Sequence, residues 1–101
     1  MEACSSRFRH VVSRPPSYRL SKGRYISIDL DGIDPSEAPG VSHCEPGGLT
    51  VREVLEALDR QTAWLAGADV VELNPDRDVH GVTAILAAKL IRELAAMTGA
   101  A

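Results

Sequence analysis

Two aspartates stand two residues apart where a short apolar stretch ends. The stretch Tyr25–Leu30 alternates apolar and polar residues, as a half-buried strand does, and Asp29 and Asp31 lie at its carboxyl end. Residues i and i+2 of a strand share a face and lie about 6–7 Å apart. Two carboxylates so close repel each other unless a cation or a shared proton relieves them. The spacing predicts an oxygen-rich site for Mg²⁺ or Mn²⁺. The alternative is that Asp29, Asp31 and Asp34 cap local turns.

A third carboxylate, Glu72, lies near the end of a second apolar run, Ala68–Leu73. We expect this run to be a short buried strand, stopped by the following Asn-Pro. If the two strands are parallel, their carboxyl ends meet at one edge of the sheet, where open α/β sheets bind ligands. That edge then carries three carboxylates and suits metal ions and a cationic substrate.

The elements between and after the strands are two helices and a long loop. Residues 31–49 are rich in Gly and Pro and predict a loop of about 19 residues, a length typical of functional segments. Thr50 followed by Glu53 forms a capping box that starts a helix. We expect the apolar stripe of that helix to run through Leu65, with Gly67 closing it. A last helix is predicted from about 82 to 97, with Gly99 as its stop and these apolar positions: Ile85, Leu86, Ala88, Leu90, Ile91, Leu94.

The order strand–helix–strand–helix predicts an α/β fold with parallel strands. Two strands leave both outer edges of a sheet open, and parallel strands need cover on both faces. A core of about 45 regular residues is also marginal. We therefore expect residues 25–101 to be part of a larger α/β domain.

Composition excludes several classes. The 101 residues carry 11 Lys and Arg against 14 Asp and Glu, a net charge of −3, so bulk charge does not favour nucleic acid. No apolar run approaches the roughly 18 residues of a membrane span. Cys4 and Cys44 make neither a disulfide framework nor a zinc motif, which indicates a cytoplasmic protein by default.

Residues 1–24, with six basic residues and one acid, have the Arg- and Ser-rich composition of a mitochondrial transit peptide. The alternative is a disordered basic leader or a misplaced start.

Two enzyme families use Asp-x-Asp at a strand end. The segment Ile28–Gly32 resembles the first motif of haloacid-dehalogenase-type Mg²⁺ phosphatases, but Ile33 stands where that family has Thr or Val. The later Lys and paired-Asp motifs of that family do not follow. This resemblance depends on one short motif.

The second family is matched by several motifs in the right order. Ser27–Asp31, Pro35, Pro39-Gly40 and Gly48 satisfy a signature of the ureohydrolase family of arginases and agmatinases. Glu45–Thr50 and Gly67–Pro75 also resemble segments of that family. The stretches 38–43, 74–78 and 87–94 most resemble its plant-type arginases. The resemblance covers residues 25–97.

This resemblance implies a three-layer α/β/α fold around a parallel sheet, with two Mn²⁺ per site. It also implies that a hydroxide attacks the guanidinium carbon of arginine or agmatine to release urea and an amine. By position, Asp29 would bridge both metals, Asp31 would bind one, and Glu72 would bind the small guanidino substrate. His43, in the place of a Thr in many members, is a candidate for substrate gating or proton shuttling. The alternative is a loop histidine hydrogen-bonded to backbone.

The chain departs from the family in one respect that bears on activity. The upstream metal-binding motifs Gly-Gly-Asp-His and Asp-Ala-His-x-Asp do not occur in it. A non-catalytic fragment or pseudoenzyme that binds metal weakly, or only packs with homologous subunits, is therefore the alternative. We expect a homo-oligomer in either case. The choice between arginine, agmatine and other guanidino compounds stays open.

Overall fold

The computed structural model describes residues 23–61 and 64–98, and the strands and helices alternate along them. The predicted leader therefore lies outside the described residues, apart from Gly23 and Arg24. Two short 3-10 turns, Leu30–Gly32 and Pro75–Arg77, each follow a strand. The predicted β–α–β–α order is confirmed. The elements are β1 (Arg24–Asp29), α1 (Val51–Asp59), β2 (Leu65–Val71) and α2 (Val82–Met97).

The two strands pair in parallel, as predicted. Ile28 lies opposite Val70, and Asp29 lies opposite Val71. Along β1 the alternation is confirmed, because Ile26 and Ile28 are buried while the residues between them are exposed. The prediction that the second strand is buried was wrong for most of β2, of which only Leu65 is fully buried. The described residues pack on one face of the strand pair, so the other face of β2 stays open.

Helix α1 begins as predicted and ends earlier than predicted. The Thr50 side chain accepts the N–H of Glu53, whose carboxylate accepts the N–H of Thr50, which completes the capping box. The helix ends at Asp59, so the prediction that Leu65 and Gly67 belong to it was wrong. Leu65 continues the apolar helical spacing, but it also pairs with β1 and is 1% exposed there. Burial against β1 thus decides its conformation.

Helix α2 spans 82–97, as predicted, and buries only some of its apolar positions. Ile85 and Ile91 are 69% and 56% exposed. Both fall outside the arc of the helix that meets the core, so not every apolar position of the helix is buried. Gly99, the predicted stop, lies outside the described residues. The buried residues of α2 are Thr83, Leu86, Ala87, Leu90 and Leu94.

One core joins the strands, both helices and the long loop. The loop contributes Ile33, Ala38, Val41 and Leu49, all of them 0–1% exposed. A parallel bridge between Ile33 and Leu49 brings the two ends of the loop together. The loop is therefore a packed part of the domain that begins directly after the candidate carboxylates. No described helix has the length and apolarity that crossing a membrane requires.

Candidate functional site

The two aspartates of the Asp-x-Asp motif lie at the carboxyl end of β1. Asp29 is the last residue of the strand, and its Oδ1 accepts the backbone N–H of Asp31 at 2.8 Å. That bond starts the first 3-10 turn, in which Leu30 is completely buried and anchors the turn to the core. The capping alternative is therefore correct for one oxygen of Asp29. The cap leaves its second oxygen, Oδ2, available for other interactions.

The carboxylate of Asp31 contains an oxygen without a partner. Its Oδ1 is buried and accepts no hydrogen bond from any described residue. Leaving a buried acceptor unsatisfied costs about 1–3 kcal/mol, and more for a charged group. A cation bound at this oxygen would remove that cost. The donor set therefore fits a hard divalent metal, which prefers carboxylate oxygens.

Glu72 lies at the same edge of the sheet as the two aspartates. It directly follows Val71, the partner of Asp29, so the predicted placement at one edge is confirmed for the backbone. Its φ is 76°, a left-handed conformation that is uncommon for a residue other than glycine. The side chain is exposed. Within 23–61 and 64–98, no three His, Cys, Asp or Glu side chains come close enough together to hold a metal ion.

His43 lies in the exposed part of the long loop, next to Cys44. The alternative of a histidine bonded to backbone is not observed among the described residues. Cys44 Sγ lies 3.8 Å from the carbonyl oxygen of Pro39 and 3.9 Å from that of Val41. A groove of about 180 Å³ lies elsewhere, between the middle of β2 and the C-terminal half of α2.

Asp34 closes the long loop. Its carboxylate accepts the hydroxyl and the N–H of Ser36, and the N–H groups of Gly47 and Gly48 at 2.8 and 3.1 Å. These bonds lower the pKa of Asp34 to about 2, although partial desolvation acts in the opposite direction. A Cβ at Gly48 would lie 2.7 Å from the Asp34 nitrogen, so glycine is needed there. The prediction that Asp34 caps a turn is confirmed by its bonds to Ser36. The same carboxylate also binds Gly47 and Gly48, and so joins the two ends of the loop.

A second group of contacts joins the loop to the residues after β2. The N–H of Gly40 donates to Thr83 Oγ1 at 2.8 Å, and its carbonyl accepts the N–H of Asn74 at 2.8 Å. Asn74 Nδ2 donates to Ser42 Oγ at 3.0 Å. Sequence reasoning missed these contacts. One sign in the sequence was Asp78, an aspartate shortly before the last helix. In the structure its carboxylate accepts the N–H groups of Thr83 and Ala84.

The pKa of Asp78 depends on those hydrogen bonds. Desolvation raises its pKa, but the N–H groups of Thr83 and Ala84 and the Thr83 hydroxyl lower it more, so the pKa lies below the usual range. On the open face of the sheet, Asp69 accepts the hydroxyls of Ser27 and Tyr25. These bonds lower the pKa of Asp69 and raise that of Tyr25. They join the two strands and stand apart from the carboxyl edge.

Comparison with known proteins identifies the relatives of the chain. The model of the arginase family matches residues 8–97, and so begins within the basic segment 1–24. Arginase 1, mitochondrial, from Arabidopsis thaliana is 64% identical over 76 residues, which are 74% of this chain and 22% of the relative. Guanidinobutyrase from Pseudomonas aeruginosa is 44% identical over 71 residues, or 69% of this chain and 22% of that protein.

A solved structure agrees with these relatives. Arginase from Medicago truncatula superposes with a TM-score of 0.73 at 57% identity, covering 75% of this chain and 24% of that one. The chain thus spans about a fifth to a quarter of the length of these three proteins. The predicted fold class, part of an α/β domain of this kind, is confirmed. On the family match over residues 8–97 and these similarities, the chain belongs to the arginase family.

Proposed function

We propose that residues 25–101 are the C-terminal part of a manganese-dependent hydrolase of guanidino compounds. The reaction would release urea and an amine from arginine or agmatine. The observation that carries the proposal is the Asp29–Asp31 pair at the carboxyl end of β1, with a buried Asp31 oxygen that lacks a partner. The names of the relatives support the substrate class, since they include arginase, guanidinobutyrase and agmatinase.

The two aspartates would hold the metal. Asp31 offers its unpartnered Oδ1, and Asp29 offers Oδ2, because its other oxygen caps the turn. Bound manganese supplies hydroxide near neutral pH, since a metal lowers the pKa of its water. The remaining ligands would come from parts of the domain that the matched relatives have beyond this segment. The hydrogen bond from the Asp31 N–H fixes the orientation of the Asp29 carboxylate before a metal binds.

Glu72 would bind the guanidinium group of the substrate. A guanidinium is permanently charged and presents parallel N–H donors that match a carboxylate. Glu72 is exposed and stands beside the end of β1, so its carboxylate can approach a substrate held near the aspartates. His43 would line the mouth of this site and act on substrate entry or proton transfer.

A non-catalytic role is the second candidate. It is favoured because no three His, Cys, Asp or Glu side chains among the described residues are close enough together to hold a metal ion. In that role the chain would bind metal weakly or pack with homologous subunits. The family match leaves the phosphatase alternative without support.

Self-association and location complete the proposal. Exposed Ile85 and Ile91 on α2 support a homo-oligomer, because large apolar side chains at a surface favour contacts. The relatives named mitochondrial support a mitochondrial location, with the cytoplasm as the alternative.

Metal binding tests the proposal directly. The electron paramagnetic resonance signal of free Mn²⁺ is titrated with the full chain, with Asp31→Asn and with Asp59→Asn. Asp59 is an exposed aspartate at the end of α1 and serves as the control. We expect the wild-type chain and Asp59→Asn to remove free Mn²⁺ equally, and Asp31→Asn to remove much less. Equal loss of signal in all three, or in none, would contradict the assignment.

A further inference from the structure

The backbone at Glu72 is held in a conformation that glutamate seldom adopts. Its φ of 76° lies in the left-handed region, where the Cβ atom of an L-residue crowds the next carbonyl. Such a conformation persists only when the surrounding structure over-determines it. The cause must therefore lie in the residues that flank Glu72.

Both flanks of Glu72 are attached to the segment that begins with β1. On the N-terminal side, Val71 pairs with Asp29 in the parallel ladder. On the C-terminal side, the N–H of Asn74 donates to the carbonyl of Gly40 at 2.8 Å. Only Glu72 and Leu73 lie between these two fixed points. Within this short span, Glu72 takes the left-handed conformation.

Gly40 is itself fixed against the first turn of α2. It is buried, and its N–H donates to Thr83 Oγ1 at 2.8 Å. A Cβ at this position would lie 2.9 Å from the Cβ atoms of Asp78 and Thr83, so the two segments touch. Asp78 in turn accepts the N–H groups of Thr83 and Ala84 at 2.9 and 3.0 Å. The attachment point of Asn74 is thus anchored to a helix.

We infer that these contacts position the Glu72 carboxylate for its substrate. The inference rests on the proposed function, in which Glu72 binds the guanidinium. Thr83 and Asn74 are positioning residues that act through the backbone of Glu72 and do not touch the substrate. We call the set the Gly40 latch, and its members are Gly40, Ser42, Asn74, Asp78 and Thr83.

Nuclear magnetic resonance of the isotope-labelled full chain tests the latch without any need for turnover. Thr83→Val keeps the size and branching of the side chain but removes the hydroxyl, whereas Thr83→Ser keeps the hydroxyl. In Thr83→Val we expect the Gly40 amide to exchange faster, on the order of tenfold. We also expect the Cα and Cβ shifts of Glu72 to move from left-handed towards extended values. Thr83→Ser should resemble the wild type in both measurements.

A second variant covers the case in which Thr83→Val does not fold. Asn74→Ala removes the bond to Ser42 and the cap on the Asp76 N–H, and keeps the backbone bond to Gly40. It should move the Glu72 shifts in the same direction while the Gly40 amide stays protected. Left-handed Glu72 shifts that persist in every folded variant would overturn the latch. Extended or random-coil shifts at Glu72 in the wild-type chain would overturn it too.

Broadening by Mn²⁺, recorded on the same samples, separates the latch from the proposed function. Broadening around Asp31 that survives in Thr83→Val, together with altered Glu72 shifts, would support a latch that acts on Glu72 and not on the metal end of the site. Absence of broadening in the wild type would contradict the proposed function. The Gly40 and Glu72 measurements would still decide on the latch.

Discussion

Gly48 is expected to tolerate no side chain, and Gly48→Ala tests how tightly the long loop is packed beside the aspartates. A Cβ at this position would lie 2.7 Å from the Asp34 nitrogen and 2.9 Å from the Gly32 oxygen. Both are backbone atoms, so the segment that follows Asp31 must move. Two backbone hydrogen bonds would be disturbed: Asp34 N–H to Leu49 at 2.8 Å, and Leu49 N–H to Gly32 at 2.9 Å.

The magnitude follows from these contacts. Overpacking costs about 1–3 kcal/mol, and the weakening of two hydrogen bonds adds about 1 kcal/mol. The expected loss is therefore about 2–4 kcal/mol of unfolding free energy. Each kcal/mol lowers the melting temperature of a small domain by about 4–8 °C. Thermal unfolding followed by circular dichroism, with and without Mn²⁺, measures the shift.

Gly81→Ala is the matched control. Gly81 has a φ of 72°, but nothing lies within 4 Å of the added Cβ. This variant carries only the cost of a left-handed alanine, about 1–2 kcal/mol, and should leave Mn²⁺ binding as it is in the wild type. Gly48→Ala should weaken Mn²⁺ binding as well as stability, because the displaced segment adjoins Asp31. A Gly48→Ala melting temperature equal to or above that of Gly81→Ala would contradict the steric explanation.

Three further outcomes are expected. In a full-length relative that carries this segment, Asp29→Ala should abolish turnover and manganese content, whereas Glu72→Gln should mainly raise KM; unchanged rate and metal content in the Asp29 variant would refute the role of Asp29. The 101-residue chain alone should release no urea from arginine or agmatine with excess Mn²⁺, since two carboxylates at the end of one strand cannot enclose two metals; turnover that is lost on Asp29→Ala would contradict this. Asp34 has a pKa of about 2 in the folded chain, below its ordinary 3.8, so its contribution to stability is present above the ordinary value and is lost as the pH falls towards 2. The protection of the Gly47 and Gly48 amides, measured relative to their intrinsic exchange rates, should therefore fall in that window, and Asp34→Asn should lack this fall.

Features set by neighbours in the sequence could be predicted. The capping box at Thr50 and Glu53 involves residues three apart, and it appears as expected. The alternation of buried and exposed residues along β1 could also be predicted from the local sequence pattern alone. Leu65 shows the limit, because its spacing suits both a helix and a strand. Its burial against β1, a contact distant in sequence, settles the conformation.

The candidate site divides in the same way. Placement of Asp29, Asp31 and Glu72 at one edge followed from the order of the elements and the parallel pairing. The cap on Asp29 is local and was among the alternatives, but the hydrogen bonds that flank Glu72 could not be predicted, because they involve residues far apart in sequence, such as Gly40 and Thr83. No propensity or spacing rule encodes such a contact. The signs in the sequence were a glycine where two segments touch and an aspartate ahead of a helix.

Two conformational costs meet at the carboxyl edge, and neither has a local explanation. Asp31 buries a carboxylate oxygen without a partner, and Glu72 adopts a left-handed backbone. Local rules are usually broken where function requires it and the surrounding structure can sustain the cost. If these features are costs, Asp31→Asn, which removes the buried charge, and Glu72→Gly, which removes the crowded Cβ, should each raise the melting temperature. If both variants melt at a higher temperature, stability is not the reason for either feature, and loss of Mn²⁺ binding in Asp31→Asn alone would assign the first cost to the metal and separate it from the cost at Glu72. A lower melting temperature in either variant would contradict this reasoning.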